Sequence, residues 1–155
     1  MASAERRSPL LLGVFVLIVF CAAAGGWFFK PGAWYAELWK PSWTPPNWVF
    51  PVVWPVLYVC IAIAGWLIFS RPGTMHARVL WGVQLVLNAI WTWIFFGLHQ
   101  PMLALADIAV LLACIAALMV VSWRRQRAVS WLFLPYFAWV AYASALTAAI
   151  AFGNP

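Results

Sequence analysis

Of the 155 residues, 67% are hydrophobic and only 8% are charged, and mean hydropathy is +0.95. No soluble domain of this length carries so apolar a composition, so the chain reads as a polytopic membrane protein with no room for a soluble domain. The net charge of +6 is divided among short segments, which points to membrane topology and anionic headgroups and excludes a nucleic-acid surface.

A bilayer crossing takes about 20 apolar residues, which caps the chain at about five or six helices. The first apolar run, Leu10 to Phe29, follows Arg6 and Arg7 and ends near Ala22, Ala23 and Ala24, superficially like a signal peptide. Its length spans a bilayer, so we read residues 9–29 as an uncleaved first helix. Residues 30–48 follow as a loop crowded with Trp34, Tyr35, Trp39, Trp43 and Trp48, and stiffened by Pro41, Pro45 and Pro46. Proline fixes φ and removes a donor, so an ordered, non-helical segment is expected. Trp and Tyr favour the membrane–water interface, which makes this loop an aromatic cap over a helical bundle.

Further spans are expected over residues 49–69, 78–98, 102–123 and 131–152. Pro51 and Pro55 fall near the start of the second, where spare N–H groups tolerate them. Short segments divide the later spans: Ser70 to Thr74, His99 to Pro101, and Arg124 to Arg127. With five crossings, Arg6, Arg7, Arg71, Arg78, Arg124, Arg125 and Arg127 share one side, opposite Lys30 and Lys40. The positive-inside rule then puts the N-terminus in the cytoplasm and the C-terminus outside.

Cys21, Cys60 and Cys114 lie within spans without metal-ligand spacing and read as small apolar residues. His76 and His99 fall at opposite faces, so no metal site is expected. Asp107 is the acidic residue inside a span, and an intramembrane carboxylate either bonds a neighbouring helix end or indole N–H, or touches a ligand. Gln84, Asn88 and Trp91 share one helical face at i, i+4 and i+7, consistent with interhelical bonding or with ligand contact. Trp54 and Tyr58 are an i, i+4 aromatic pair, while Tyr136, Trp139, Tyr142, Ala143 and Leu146 stud the fifth span.

These residues carry a resemblance. The run Trp34-Tyr35-x-x-Leu38-x-Lys40-Pro41-x-Trp43-x-Pro45-Pro46-x-Trp48 comes first, followed by Trp54-x-x-Leu57-Tyr58. Gln84-Leu85-x-Leu87-Asn88-x-x-Trp91-x-x-x-Phe95-Phe96-Gly97, Ala104-Leu105-x-Asp107 and Pro135-Tyr136-x-x-Trp139 complete it in order. The chain resembles the tryptophan-rich sensory protein family, which includes the mitochondrial translocator protein or peripheral benzodiazepine receptor. The resemblance implies an all-α membrane protein: a five-transmembrane-helix bundle, commonly a homodimer, whose aromatic, proline-rich first loop caps a pocket. It implies binding of tetrapyrroles such as protoporphyrin IX and of isoquinoline- and benzodiazepine-type drugs, with sterols in animal members. Carried over by position, the ligand-binding residues are Trp34, Tyr35, Pro45, Trp54, Tyr58, Asn88, Trp91, Asp107, Trp139, Ala143 and Leu146. Trp54 and Trp139 match positions that the family links to photochemical porphyrin breakdown.

One departure bears on sterols. The stretch Leu146-Thr147-Ala148 lacks the tyrosine and following basic residue of the animal sterol motif, and Lys30…Tyr35…Leu38 fits its reversed form by coincidence. With the compact loops and short C-terminus, this suggests a bacterial member. A porphyrin also makes physical sense: indole faces for the ring, Asn88 and indole N–H donors, and Lys30 and Lys40 for the propionates. No histidine is placed to ligate a central metal, so a free-base porphyrin ligand is expected and a permanently bound cofactor is not. Three functions compete: a tetrapyrrole sensor or regulator, a transporter of porphyrins, sterols or other hydrophobic molecules, and a light-dependent porphyrin oxidase. Acid–base catalysis is unsupported, because Asp107 stands alone.

Overall fold

Apolar runs punctuated by glycine, proline and arginine decide where this chain turns. The computed structural model describes residues 8–28 and 31–154, the Trp27 side chain excepted. Long helices occupy Pro9–Ala23, Val49–Phe69, Met75–Thr92, Pro101–Trp123 and Arg127–Gly153. Among the described residues the fold is all-α, a five-helix bundle. The later four helices are long and apolar enough to cross a membrane by length and composition, while the first is shorter. Arg6, Arg7, Lys30 and the expected end of the first span at Phe29 lie outside the described residues.

The first helix breaks at Ala24 and resumes for one turn at Gly25–Phe28, where paired glycines weaken helix continuity. The third and fifth helices start earlier than their arginines suggested, because arginine is itself a good helix former. Arg78 sits in the first turn of the third helix, where its amide bonds the Thr74 carbonyl at 2.9 Å and its Nη2 reaches the Arg71 carbonyl at 2.7 Å. The third helix ends in a π-helical turn, Trp93–Gly97, in which the Leu98 amide reaches back five residues to Trp93 at 2.9 Å. The cap carries one short helix, Ala33–Glu37, where an irregular segment was expected, and is irregular between Pro41 and Pro46.

Around the bundle the first helix packs on the second, the second on the fifth, the fifth on the fourth, the fourth on the third, and the third returns to the first. The turn after the second helix and the turn before the fifth meet at one end, where Arg71 Nη1 donates to the Arg125 carbonyl at 3.0 Å. Trp66 Nε1 donates to the Ser8 carbonyl at 3.2 Å, bringing the start of the first helix to that same end. The cap, His99 and Asn154 occupy the other.

Gly65 sets the closest approach of the first three helices. A Cβ there would fall 2.6 Å from Trp81 and 2.8 Å from Phe15, and the Trp81 indole cannot withdraw freely because its Nε1 donates to the Ile61 carbonyl at 2.9 Å. Overpacking of this kind costs about 1–3 kcal/mol. Thermal denaturation in detergent should therefore show Gly65→Val melting several degrees below the parent, with Gly82→Ala, whose Cβ meets open space, melting no lower.

Candidate ligand site beneath the cap

The aromatic residues fall into two adjoining groups. In the deeper one, the Trp54 and Tyr58 rings stack at 5.3 Å and 27°, as their i, i+4 spacing on one helix allows, and Trp54 meets Tyr136 edge-on at 6.4 Å. Asn88 joins the set: Tyr58 Oη donates to its Oδ1 at 3.4 Å, and its Nδ2 donates to Tyr136 Oη at 3.1 Å. One amide thus ties the second, third and fifth helices together, and Asn88 is an interhelical bond in this arrangement. Tyr136, fully buried, was not among the expected site residues although it stands in the family motif.

The second group lies directly under the cap. Tyr35 is buried against Phe95 and Phe96 at 6.1 and 5.5 Å, and Leu146, Ile150 and Ala104 complete the cluster. Trp91 stacks on Phe95 at 5.2 Å and 16°, and Trp34 meets the edge of Phe95 at 5.7 Å. On its other side Trp34 stacks on His99 at 4.3 Å, where His99 adopts a left-handed backbone with φ of 56° as the chain turns from the third helix toward Pro101. Burial, with the Tyr142 phenol contributing, pushes the Tyr35 phenol above its ordinary pKa of 10.0 and keeps it neutral.

Trp139 packs against the core on the side of the deeper group. Its ring meets Phe50 at 5.8 Å and Tyr142 at 5.9 Å, and Tyr142 Oη donates to the Trp43 carbonyl of the cap at 2.7 Å. Trp54, Tyr58, Trp139 and Ala143 are half-buried and pack against the core. Pro45 is half-buried in the irregular part of the cap. Asp107 is half-buried and near enough to Tyr136 to interact with it electrostatically, but its Oδ2 is buried without a hydrogen-bond partner. Trp91 Nε1 and Gln84 Oε1 are unpartnered too. The inner faces of the third and fourth helices thus hold both donor and acceptor capacity that the described residues do not use.

Two features of the cap have no simple sequence signal. The Asn154 carboxamide clamps Trp39 in both directions, accepting from its backbone amide at 2.9 Å and donating to its carbonyl at 3.0 Å. The Trp39 ring lies so close over Gly153 that a Cβ there would overlap it. Lys40, expected to meet ligand carboxylates, instead donates to the carbonyls of Tyr35, Leu38 and Ala36 at 2.5, 2.9 and 3.3 Å, closing the end of the short cap helix. Its ammonium also sits 4.7 Å over the Tyr35 ring.

Residues 14–152 match the TspO/MBR family model. Protein CrtK of Rhodobacter capsulatus is 39% identical over 152 residues, covering 96% of this chain and 95% of that protein. The tryptophan-rich sensory protein of Cereibacter sphaeroides is 35% identical over 136 residues, 84% of this chain and 86% of its own. The human translocator protein is 38% identical over 118 residues, 73% of this chain and 70% of its own. Several apolar helices and a match across nearly the whole bundle make this an integral multi-pass membrane protein, and the chain belongs to the TspO/MBR family.

Proposed function

We propose that this protein is a membrane sensor or regulator that binds tetrapyrroles of the protoporphyrin IX type beneath its cap. The observation that carries the reading is the contact of Trp54 with Tyr58 and Tyr136, the two phenols from two helices that hold Asn88 of a third. Trp54 and Tyr58, half-buried beside that bonded centre, offer ring faces that suit a flat conjugated macrocycle. The unpartnered Trp91 Nε1 and Asp107 Oδ2 add a donor and an acceptor for its polar atoms. One relative is named a sensory protein and another a translocator protein, names that suit a ligand-responsive membrane protein. Titrating purified protein with protoporphyrin IX should quench tryptophan fluorescence with saturation, and Trp54→Ala should weaken binding about tenfold, the scale of one lost aromatic contact. Quenching that never saturates, or that Trp54→Ala leaves unchanged, would overturn the reading.

Ligand access requires the cap to lift, so its latches should set the binding rate. Tyr142→Phe deletes only the hydroxyl that holds the Trp43 carbonyl, and Asn154→Ala deletes the clamp on Trp39. Each lost bond of about 1 kcal/mol should raise the association rate constant for protoporphyrin IX roughly fivefold in stopped-flow fluorescence.

Light-driven porphyrin oxidation is the second reading, favoured by the indoles of Trp54 and Trp139, each in contact with a tyrosine ring. The excited porphyrin takes an electron from an indole and passes it to dioxygen, and the indole radical cation is restored by an electron from the porphyrin, so the pigment is the net electron donor and dioxygen the oxidant. Under illumination, Trp139→Phe and Trp54→Phe should bind the pigment yet lose protein-dependent products. Pigment uptake into sealed vesicles would support the transporter alternative instead.

Orientation belongs to the same proposal: the arginine-bearing end faces the cytoplasm and the cap faces outward. A membrane-impermeant maleimide applied to intact cells should label Ser42→Cys and spare Pro72→Cys.

A further inference from the structure

The arginine-bearing end holds two clefts unrelated to the aromatic site. One, of about 240 Å³, lies between the start of the third helix and the end of the fourth and is lined by Thr74, His76, Val121, Ser122, Arg125 and Gln126. The other, of about 220 Å³, shares Arg125 and Gln126 and adds Arg127. Arg125 is the wall between them. Its Nη1 donates to the Gly73 carbonyl at 2.7 Å, which holds the guanidinium in place and leaves its other N–H groups available. Gln126 Nε2 fixes the floor by donating to the Leu67 carbonyl at 2.9 Å.

Three observations identify what belongs in the first cleft. Its lining offers donors and positive charge, and no carboxylate stands in either turn: the acids among the described residues are Glu37 in the cap and Asp107 in the fourth span. Ser122 is only 3% exposed, lines the cleft, and its Oγ has no hydrogen-bond partner, so a buried hydroxyl awaits an acceptor or donor. The cleft also lies at bilayer-boundary depth. Trp123 and Trp131, 45% and 59% exposed with rings 6.0 Å apart, mark the interface, and the exposed Val121 continues the cleft wall onto the apolar flank.

We propose that this cleft, with Arg125 as its cation and Ser122 as its buried hydroxyl, binds the phosphate of an anionic phospholipid whose acyl chains run down past Val121. A phosphate diester carries one negative charge and accepts charge-assisted bonds from a guanidinium and a hydroxyl, and the lateral apolar wall favours a lipid over free phosphate. Arg124, which makes no hydrogen bond among the described residues, adds field without positioning.

Native mass spectrometry of the detergent-purified full chain tests this, with dioleoyl phosphatidylglycerol and dioleoyl phosphatidylcholine as probes. The expected result is one phosphatidylglycerol retained per chain in preference to phosphatidylcholine, with retention falling about tenfold in Arg125→Gln. Inorganic phosphate at the same concentration should not displace it. Arg125→Gln also loses its bond to Gly73, so Ser122→Ala is the companion variant. Removing an unpartnered buried hydroxyl does not destabilise the fold, so an unchanged melting temperature with weakened phosphatidylglycerol retention marks a binding role. Equal retention of the two lipids, retention unaffected by both variants, or phosphate binding without lipid preference would each overturn the assignment.

Discussion

A side-chain amide buried among apolar helices must find partners within the protein, and Asn88 finds them in two phenols. In hydrocarbon the alternative is an unsatisfied polar group costing several kcal/mol. The same constraint is met elsewhere by aiming side chains at the main chain of the next helix. Trp81 bonds Ile61, Cys114 bonds Leu80, and Ser130 bonds Met119, stitching the second helix to the third, the third to the fourth and the fourth to the fifth. Because lipid gives helices little hydrophobic reason to associate, such bonds and close packing at small residues carry much of the specificity. Gly65 is the packing counterpart of Asn88: one admits an indole where the other holds a phenol.

The two ends of the bundle solve their polar accounting differently. At one end arginine and glutamine side chains cross between turns and cap carbonyls, a construction that leaves positive charge in excess. At the other, rings do the filling, and hydrogen bonds from Tyr142 and Asn154 pin the cap's backbone without reading its side chains. Tyr35 of the cap is itself a member of the cluster with Phe95, Ile150 and Leu146, so the lid is held by a buried ring as well as through its main chain.

The all-α class and the five-helix bundle were legible in the sequence because apolar length is a one-dimensional signal. The inward face of Gln84 and Asn88 was legible too, since helical spacing places polar groups before any neighbour is known, and both are buried. What failed was anything set by a single choice among competing partners. Arg127 was taken as the end of a loop, whereas it opens the fifth helix. The bonds from Lys40 to the carbonyls of Tyr35, Ala36 and Leu38 were not foreseen because no helix was expected over Ala33–Glu37 for it to close. The π turn at Trp93–Gly97 and the Asn154 clamp, across 115 positions, have no local signature at all.

Lys40's commitment reaches beyond the cap helix. By donating to the carbonyls of Tyr35, Ala36 and Leu38 while lying over the Tyr35 ring, one ammonium ties the end of the short helix to the ring that the bundle buries, so that helix and ring hold their positions together.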